Sequence, residues 1–214
     1  MTEYVTLHVL RFHRRLPDIE RSNESKEWKQ YIEPLAREVT VGVLGMGNLG
    51  SAAAKKLLAL GYRVQGWSRR GREVEGVSVF TGADGLAEVL STSQIVVCLL
   101  PGTPQTNDIL NSARLRSMPR GSYLVNAGRG ETVDDEALLE CLADGHIAGA
   151  TLDVFRSEPL NHSHPYWSTP NVLITCHTAS AILPEIGGQT MIQNIRAFDA
   201  GRIPKDVVDI NQGY

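Results

Sequence analysis

The chain has 214 residues, of which 42% are hydrophobic, and a formal net charge of −3 at pH 7. This length suits one sizeable domain with an appendage, or two small domains, around a packed core. Acidic and basic residues are mixed along the chain and no apolar run approaches the roughly 18 residues of a membrane span, which argues against nucleic-acid or membrane partners.

Residues 1–37 differ from the rest of the chain because they are polar, charged and free of glycine. Apolar residues spaced through 5–16 are followed by a polar stretch at 18–29 and by helix-like apolar spacing at 28–35. This pattern predicts an arm or a pair of helices rather than a domain. The first residues lack a continuous apolar segment and a small-residue cleavage site, so we predict no signal peptide.

Strands and helices are predicted to alternate from residue 39 onward. The predicted strands are 39–44, 63–67, 77–80, 95–100, 123–126, 147–152 and 172–175. The predicted helices are 49–60, 85–90, 109–118, 134–144 and 184–200. Apolar strands that alternate with amphipathic helices are typical of a parallel sheet covered on both faces. We therefore predict an α/β fold with a Rossmann-type doubly wound parallel sheet and an N-terminal arm, whose ligands bind beyond the carboxyl ends of the strands.

A glycine-rich turn follows the first predicted strand. The run Gly45-Met46-Gly47-Asn48-Leu49-Gly50 fits GxGxxG, with a strand before it and a helix after it. In this motif the glycines permit a tight turn, close approach of the backbone to a pyrophosphate, and close packing of helix on strand. The helix N-terminus adds free N–H groups. We predict a dinucleotide site here, and the alternative is a glycine-rich turn without a ligand.

The second predicted strand ends at Trp67-Ser68-Arg69-Arg70, with Arg72 close by. A site that prefers NAD usually has an acidic residue about 20 residues after the motif, where it binds the ribose 2′-hydroxyl. Here the first acidic residue is Glu73, which lies beyond the arginines. A hydroxyl followed by two guanidinium groups suits a 2′-phosphate. We therefore predict NADP(H) as the preferred cofactor, NAD(H) as the second choice, and a solvated basic loop as the alternative to a site.

Three segments that follow predicted strands carry candidate catalytic residues. Arg129 lies between glycines after Asn126, where its guanidinium could bind a substrate carboxylate and polarise an adjacent carbonyl. Asp153 directly follows a strand, Glu158 precedes a proline, and His177 directly follows the next strand. A carboxylate beside a histidine fixes the ring and favours its charged form, which suits proton donation to a developing alkoxide. The alternatives are a surface arginine in a turn and a structural histidine.

The cysteines are predicted to be buried free thiols. Cys98 and Cys176 lie in apolar runs, and Cys141 lies in a helix-like pattern. This usage predicts a reducing and therefore cytosolic compartment. No Cys/His spacing resembles a zinc site, so no metal is predicted. We expect His162 and His164 to lie in a solvated loop that contains proline.

Together these residues resemble the D-isomer-specific 2-hydroxyacid dehydrogenases, and within that family the glyoxylate/hydroxypyruvate reductase branch. The resemblance covers essentially the whole chain. The matching stretches are 41–47, Trp67-Ser68-Arg69, Leu100-Pro101, 126–130, 152–155 with Glu158-Pro159, and His177-Thr178-Ala179.

The resemblance implies NADPH-dependent reduction of a small 2-oxo acid, such as glyoxylate or hydroxypyruvate, to the 2-hydroxy acid. It implies that Arg129 binds the substrate carboxylate and that His177, paired with Glu158, is the acid/base. Asp153 matches a position near the nicotinamide. The motifs and the resemblance together predict cofactor contacts at Gly45, Met46, Gly47, Asn48, Leu49, Gly50, Ser68, Arg69, Arg70, Leu100, Pro101, Thr106, Asn126, Ala127, Gly128, Asp153, His177 and Ala179.

The resemblance also implies a division of the chain. Residues 1–37 would form an arm and linking helix for dimerisation, 38–185 an NADP-binding Rossmann domain, and 186–214 a C-terminal helix and tail. In the family most of the substrate-binding domain precedes this region, and we expect that part to be missing before Met1. The expected partners are a 2-oxo acid and a second copy of the chain.

Two alternatives belong to other functional classes. A non-catalytic or truncated NADP-binding module would bind the cofactor without turnover. We expect slow turnover or none, because an incomplete cleft leaves water in the site and positions the substrate poorly.

A 3-hydroxyacid dehydrogenase or imine reductase would share the turn and the basic strand end but would need a lysine on a central helix. The last predicted helix, around Gly187-Gly188-Gln189, has no lysine.

Overall fold

Seven strands form one parallel sheet in the computed structural model, which describes residues 1–181, 184–204 and 207. They are β1 (Thr40–Leu44), β2 (Arg63–Trp67), β3 (Ser78–Phe80), β4 (Ile95–Cys98), β5 (Ser122–Asn126), β6 (Ile147–Leu152) and β7 (Val172–Ile174). Their order across the sheet is β3-β2-β1-β4-β5-β6-β7, and every neighbouring pair is parallel. The strand order reverses between β1 and β4, which is where ligands bind in open α/β sheets.

Helices of the unit Met1–Ala179 cover both faces of the sheet; they are α1 (Thr2–His13), α2 (Leu16–Glu24), α3 (Asn48–Ala59), α4 (Gly82–Thr92), α5 (Ser112–Ser117) and α6 (Asp135–Ala143). A further helix, α7 (Pro184–Asp199), follows β7 in the chain. Alternate residues of β4 belong to different hydrophobic clusters, Val96 and Cys98 to one and Ile95 and Val97 to the other. Successive strand residues point to opposite faces, so each face has its own core. The predicted Rossmann-type doubly wound sheet is confirmed.

Helix α1 packs on the sheet instead of extending from it as an arm. Its residues Val5, Val9 and Phe12 are buried in the same cluster as the β1 residues Val41 and Val43. The spacing of these three residues places them on one face of the helix. The first part of the predicted arm is therefore part of the core of this α/β unit.

The helix-like apolar spacing at 28–35 does not produce a helix, so that prediction is wrong. Trp28 and Ile32 are 94% and 97% exposed. A short helix needs an apolar face packed against the fold for its stability, and no such packing exists here. Pro34 also disfavours the helical conformation of the residue before it.

Two predicted boundaries shift because of local hydrogen bonds. The helix predicted at 109–118 begins only at Ser112, because the Asn111 side chain caps it by accepting a hydrogen bond from Arg114 N at 3.1 Å. The strand predicted at 95–100 ends at Cys98. The next residue, Leu99, still donates its N–H to Leu44 O at 2.8 Å, so the chain leaves the sheet gradually.

The chain divides into two compact units, Met1–Ala179 and Ser180–Tyr214. The second unit contains α7, which ends at Asp199. Gly201 follows with a φ of 67° and donates its N–H to Phe198 O at 2.9 Å, which is typical of a helix C-terminus. The predicted C-terminal tail lies outside the described residues, apart from Val207. None of the helices in the described part of the chain has the length and apolarity that a membrane span requires.

The prediction of three buried thiols is correct for Cys98 and Cys141 and wrong for Cys176, which is exposed. Strand β7 ends at Ile174, so Cys176, at the end of the apolar run in the sequence, lies in the turn beyond the strand and is not packed with it. Burial raises the pKa of the Cys98 thiol above its usual value. The predicted reducing, cytosolic compartment stays a prediction.

A buried histidine on α1 makes the fold sensitive to acid. His8 is 3% exposed; its ring lies on that of Tyr4, with centroids 4.3 Å apart, and its Nδ1 is 3.4 Å from Thr151 Oγ1. Burial, helped by the charge of Arg11 and opposed by that of Asp153, lowers the pKa of His8 from 6.5 to about 4. As the pH falls below 6.5, the unfolded chain therefore binds a proton at His8 that the folded chain does not bind. Acid thus favours the unfolded chain.

We expect His8 to reduce the free energy of unfolding by about 2 kcal/mol between pH 7 and pH 5. Urea unfolding at the two pH values should show a smaller pH dependence in His8→Gln than in the wild type. His162→Gln, which replaces an exposed histidine, should keep the wild-type dependence. An unchanged dependence in His8→Gln would contradict this account.

Candidate active site

The glycine-rich turn after β1 has the shape that a pyrophosphate needs. Gly45 has a φ of 101°, and a Cβ atom there would lie 2.7 Å from Leu99 O. A Cβ at Gly50 would lie 1.9 Å from Gly45 O, so α3 can approach the strand this closely only without a side chain. A Cβ at Gly47, in contrast, would meet nothing within 4 Å. The two outer glycines serve the fold, and the middle one leaves open space beside the backbone.

Helix α3 offers its N-terminus to this open space. It begins at Asn48, with Gly47 as the N-cap and no side-chain cap hydrogen bond. The first N–H groups of a helix have no partner inside it, and the positive end of the helix dipole attracts anions. The turn therefore fits a dinucleotide pyrophosphate.

The carboxyl end of β2 carries the residues predicted to bind a 2′-phosphate. Ser68 Oγ is buried and has no hydrogen-bond partner among the described residues. A buried hydroxyl without a partner costs about 1–3 kcal/mol, so a ligand oxygen that bonds to it would be favoured. Arg69 and Arg70 follow and are exposed, and Arg72 Nη1 donates to Asn48 Oδ1 at 3.1 Å. This last bond links the basic segment to the first residue of α3, beside the glycine-rich turn.

The loop after β4 is held by the hydroxyl of Thr106. This oxygen donates to Pro101 O at 2.6 Å and accepts from Thr103 N at 2.9 Å. Thr106 is a residue that the resemblance assigns to the cofactor, and its hydroxyl is engaged in ordering the loop.

Several other predicted cofactor residues have side chains that are buried in the fold. These include Met46, Leu100, Ala127 and Ala179. A Cβ atom at Gly66 would lie 2.6 Å from the Met46 sulfur. The Met46 side chain therefore packs against β2 and belongs to the core. Leu49 is half-exposed at the start of α3.

The turn after β5 is ordered by Asn126 and presents Arg129. Asn126 is buried; its Nδ2 donates to Arg129 O at 3.1 Å, and its Oδ1 accepts from Gly128 N at 3.2 Å. Thr132, which the sequence analysis did not single out, donates its hydroxyl to Arg129 O at 2.6 Å. The Arg129 side chain is exposed, and its Nη1 donates to Gly128 O at 2.7 Å. Asn126 therefore shapes the turn, while the guanidinium faces solvent.

The structure brings Glu158 and His177 together. His177 Nδ1 lies 2.7 Å from Glu158 Oε2, and Glu158 Oε1 accepts a hydrogen bond from Phe155 N at 2.9 Å. The two side chains are 52% and 34% exposed, respectively. The carboxylate holds the ring by one nitrogen and leaves Nε2 for proton transfer.

The pKa of Glu158 is lowered below its usual value. Burial works to raise it, but the hydrogen bonds from His177 and Phe155 and the positive charges of His177 and Arg129 outweigh burial. The carboxylate is therefore ionised at neutral pH and can stabilise a positive charge on the ring.

Asp153 lies beneath the His177 turn rather than open to the cleft. It is 1% exposed, and its carboxylate accepts hydrogen bonds from Thr178 N and Ala179 N, both at 2.9 Å. Thr175 Oγ1 donates to the same carboxylate at 2.5 Å. Sequence reasoning missed Thr175; its only signal is a hydroxyl two residues before the candidate histidine.

The predicted catalytic residues share one edge of the sheet. Arg129, Glu158 and His177 follow β5, β6 and β7, which are adjacent parallel strands. The glycine turn and Ser68 follow β1 and β2 at the same edge. Carboxyl ends of parallel strands are where ligands bind in such sheets, so one cleft can hold both a dinucleotide and a small substrate.

Comparison with known proteins agrees with this arrangement. Residues 6–179 match the model of the D-isomer specific 2-hydroxyacid dehydrogenase NAD binding domain. The chain is 40% identical over 214 residues to the glyoxylate/hydroxypyruvate reductase A of Serratia proteamaculans, covering 100% of this chain and 68% of the relative. A reductase of the same name from Photorhabdus laumondii is 39% identical over 215 residues, with the same two coverages.

Two solved structures also resemble the chain over its whole length. A D-isomer specific 2-hydroxyacid dehydrogenase from Xanthobacter autotrophicus, in complex with NADPH and MES, has a TM-score of 0.97 at 43% identity, covering 100% of this chain and 88% of the other. An NADPH-dependent glyoxylate/hydroxypyruvate reductase from Sinorhizobium meliloti, in complex with NADP and sulfate, has a TM-score of 0.96 at 38% identity, covering 100% and 69%. The resemblance drawn from the sequence is confirmed, and the chain belongs to the D-isomer specific 2-hydroxyacid dehydrogenase family.

Proposed function

We propose that the chain binds NADP(H) and reduces glyoxylate or hydroxypyruvate to the corresponding 2-hydroxy acid. The observation that carries this proposal is the hydrogen-bonded pair of His177 and Glu158 at the edge of the sheet where the glycine turn also lies. Relatives named glyoxylate/hydroxypyruvate reductase A and similar structures bound to NADPH or NADP support the choice of substrate and cofactor.

The turn from Gly45 to Gly50 would hold the pyrophosphate, and Ser68, Arg69 and Arg70 would hold the 2′-phosphate. The buried, unpartnered Ser68 hydroxyl and the absence of an acidic residue at the end of β2 favour NADP(H) over NAD(H). When bound, the reduced dinucleotide supplies a hydride for the substrate carbonyl carbon.

The proposed roles of the chain's own residues follow from their geometry. The Arg129 guanidinium binds the substrate carboxylate with paired N–H groups and polarises the adjacent carbonyl. His177 Nε2 gives its proton to the carbonyl oxygen as negative charge develops there. Glu158 holds the ring through Nδ1 and stabilises its positive charge before the transfer.

An NADP-binding module without turnover is the second candidate. The side chain of His177 is 52% exposed and that of Arg129 is also exposed, so water reaches the proposed reacting groups in this chain. Water weakens the electrostatic interactions on which the transition state depends. This observation agrees with our expectation of slow turnover or none.

Binding and turnover separate the two candidates. Calorimetry should show that NADPH binds, and loss of NADPH absorbance with glyoxylate or hydroxypyruvate should show turnover. Binding with no oxidation above the buffer rate would support the module and contradict the reductase. Absence of NADPH binding would contradict both.

We also propose that residues 1–37 form a homodimer interface. Trp28 and Ile32 are almost fully exposed, and an apolar groove between α1 and α2 is lined by Leu7, Leu10 and Ile19. Exposed apolar surface of this kind marks interaction sites. Deleting the segment would also remove core residues of α1, so point variants give the cleaner test.

Light scattering should show a dimeric wild type and a monomeric Trp28→Ser/Ile32→Ser variant. Trp167→Ser, which changes a half-exposed tryptophan in a different loop, should leave the dimer intact. A wild type that is monomeric at micromolar concentration would exclude the interface, and so would a double variant that remains dimeric.

A further inference from the structure

The turn that carries His177 has a backbone conformation that needs support. Cys176 and His177 have φ values of 53° and 59°. This left-handed region costs residues other than glycine about 1–2 kcal/mol each. Two such residues in succession persist only where surrounding contacts hold them. Groups that hold this turn therefore also set the position of the His177 ring.

Asp153 holds the turn through three successive backbone N–H groups. His177 N donates to Asp153 O at 2.7 Å. Thr178 N donates to Oδ1 and Ala179 N to Oδ2 of the same residue, both at 2.9 Å. The orientation of this one buried carboxylate thus determines where the turn can lie.

Two hydroxyl groups in series fix the carboxylate. Thr175 Oγ1 donates to Asp153 Oδ1 at 2.5 Å, and Tyr4 Oη lies 2.7 Å from Thr175 Oγ1. Threonine has a single hydroxyl proton, which goes to the carboxylate, so Tyr4 must be the donor in the second bond. Burial raises the pKa of Tyr4 and so preserves the phenol as a donor.

Helix α1 holds the Tyr4 hydroxyl in place because the helix is packed into the core. Tyr4 is 171 positions away from Thr175 in sequence. The next residue, Val5, is fully buried against the sheet, and the His8 ring lies on the Tyr4 ring. The phenol therefore reaches the turn from a part of the fold that contributes no residue to the proposed cofactor or substrate sites.

We propose that Tyr4 and Thr175 are positioning residues for proton transfer by His177, acting through Asp153. Loss of either hydroxyl frees the carboxylate to rotate, which loosens its contacts with Thr178 N and Ala179 N and lets the His177 ring leave its bond to Glu158. The inference rests on the acid/base role proposed for His177, and its test includes readouts that need no turnover.

The test compares Tyr4→Phe and Thr175→Val with the conservative variant Thr175→Ser. Thr151→Val is the matched control, since it removes a buried hydroxyl from neighbouring β6 that contacts His8 and not the turn. In the chain without cofactor, NMR follows amide hydrogen exchange at His177, Thr178 and Ala179 and the ¹⁵N resonances of the His177 ring. Kinetics with NADPH and glyoxylate give kcat and KM.

We expect exchange at the Thr178 and Ala179 amides, which donate to the carboxylate, to be at least tenfold faster in Tyr4→Phe and Thr175→Val, with altered resonances of the His177 ring. Thr175→Ser should restore the wild-type exchange rates and ring resonances, and Thr151→Val should leave them unchanged. We expect kcat to fall about tenfold in the first two variants, with KM for glyoxylate within about twofold, because positioning affects the proton transfer more than binding.

Unchanged exchange and ring resonances in Tyr4→Phe and Thr175→Val would overturn the inference. Equal effects in Thr151→Val would also overturn it, because the hydroxyls would then be generally structural. A wild type without turnover would contradict the proposed reaction, whereas selective loosening of the turn in the two variants would still support its anchoring by Tyr4.

Discussion

Replacing His177 with alanine should lower kcat for NADPH oxidation with glyoxylate or hydroxypyruvate by about 10²–10⁴-fold, the usual contribution of a general acid. The variant has no group to give a proton to the carbonyl oxygen as its negative charge develops. The dissociation constant of NADPH should change by no more than a few-fold, because the proposed phosphate contacts lie at the glycine turn and at the end of β2, away from the His177 side chain. Single-turnover kinetics and calorimetry measure the two effects separately.

His162→Ala is the matched control, because it removes an exposed histidine from the loop between β6 and β7. It should keep wild-type kcat and NADPH affinity. The kcat of Glu158→Gln should lie between those of His177→Ala and His162→Ala. An amide can still contact Nδ1 but carries no charge to stabilise the protonated ring. Equal turnover by His177→Ala and the wild type would remove His177 from the mechanism.

Replacing Ser68 with aspartate should reverse the cofactor preference. A carboxylate at the end of β2 can accept a hydrogen bond from a ribose 2′-hydroxyl and repels a 2′-phosphate. Like charges in such contact cost several kcal/mol, so NADPH should bind on the order of 100-fold more weakly. NADH should bind several-fold more tightly. Dissociation constants of both cofactors, measured by calorimetry, give the change in preference directly.

Arg69→Ala tests the same contact without adding a charge. Charge-assisted hydrogen bonds contribute about 1.5–3 kcal/mol, so NADPH should bind about 10–100-fold more weakly and NADH almost as before. Arg63→Ala is the control at the opposite end of β2, where the arginine donates to Glu38 O at 2.6 Å. Tighter binding of NADH than of NADPH by the wild type would contradict the assigned preference.

Features that depend on residues close together in the chain can be predicted from the sequence alone. Apolar strands and helical spacing gave the doubly wound sheet because burial on two faces imposes that pattern on each short segment. The glycine turn could be read because Gly45 and Gly50 have steric reasons to lack a side chain. Ser68 and His177 could be located because each lies within three residues of the end of a strand, and parallel strands bring their carboxyl ends to one edge.

The contacts between distant groups and the burial of each side chain depend on how the elements pack in three dimensions. The apolar residues of α1 pack on the sheet, whereas those of 28–35 stay exposed, although both have helix-like spacing. The polar groups of Thr106 and Asn126 turn inward to order loops. Tyr4 reaches Thr175 across 171 positions of sequence. Local spacing carries no information about such contacts, because they exist only once separate elements have packed around a common core.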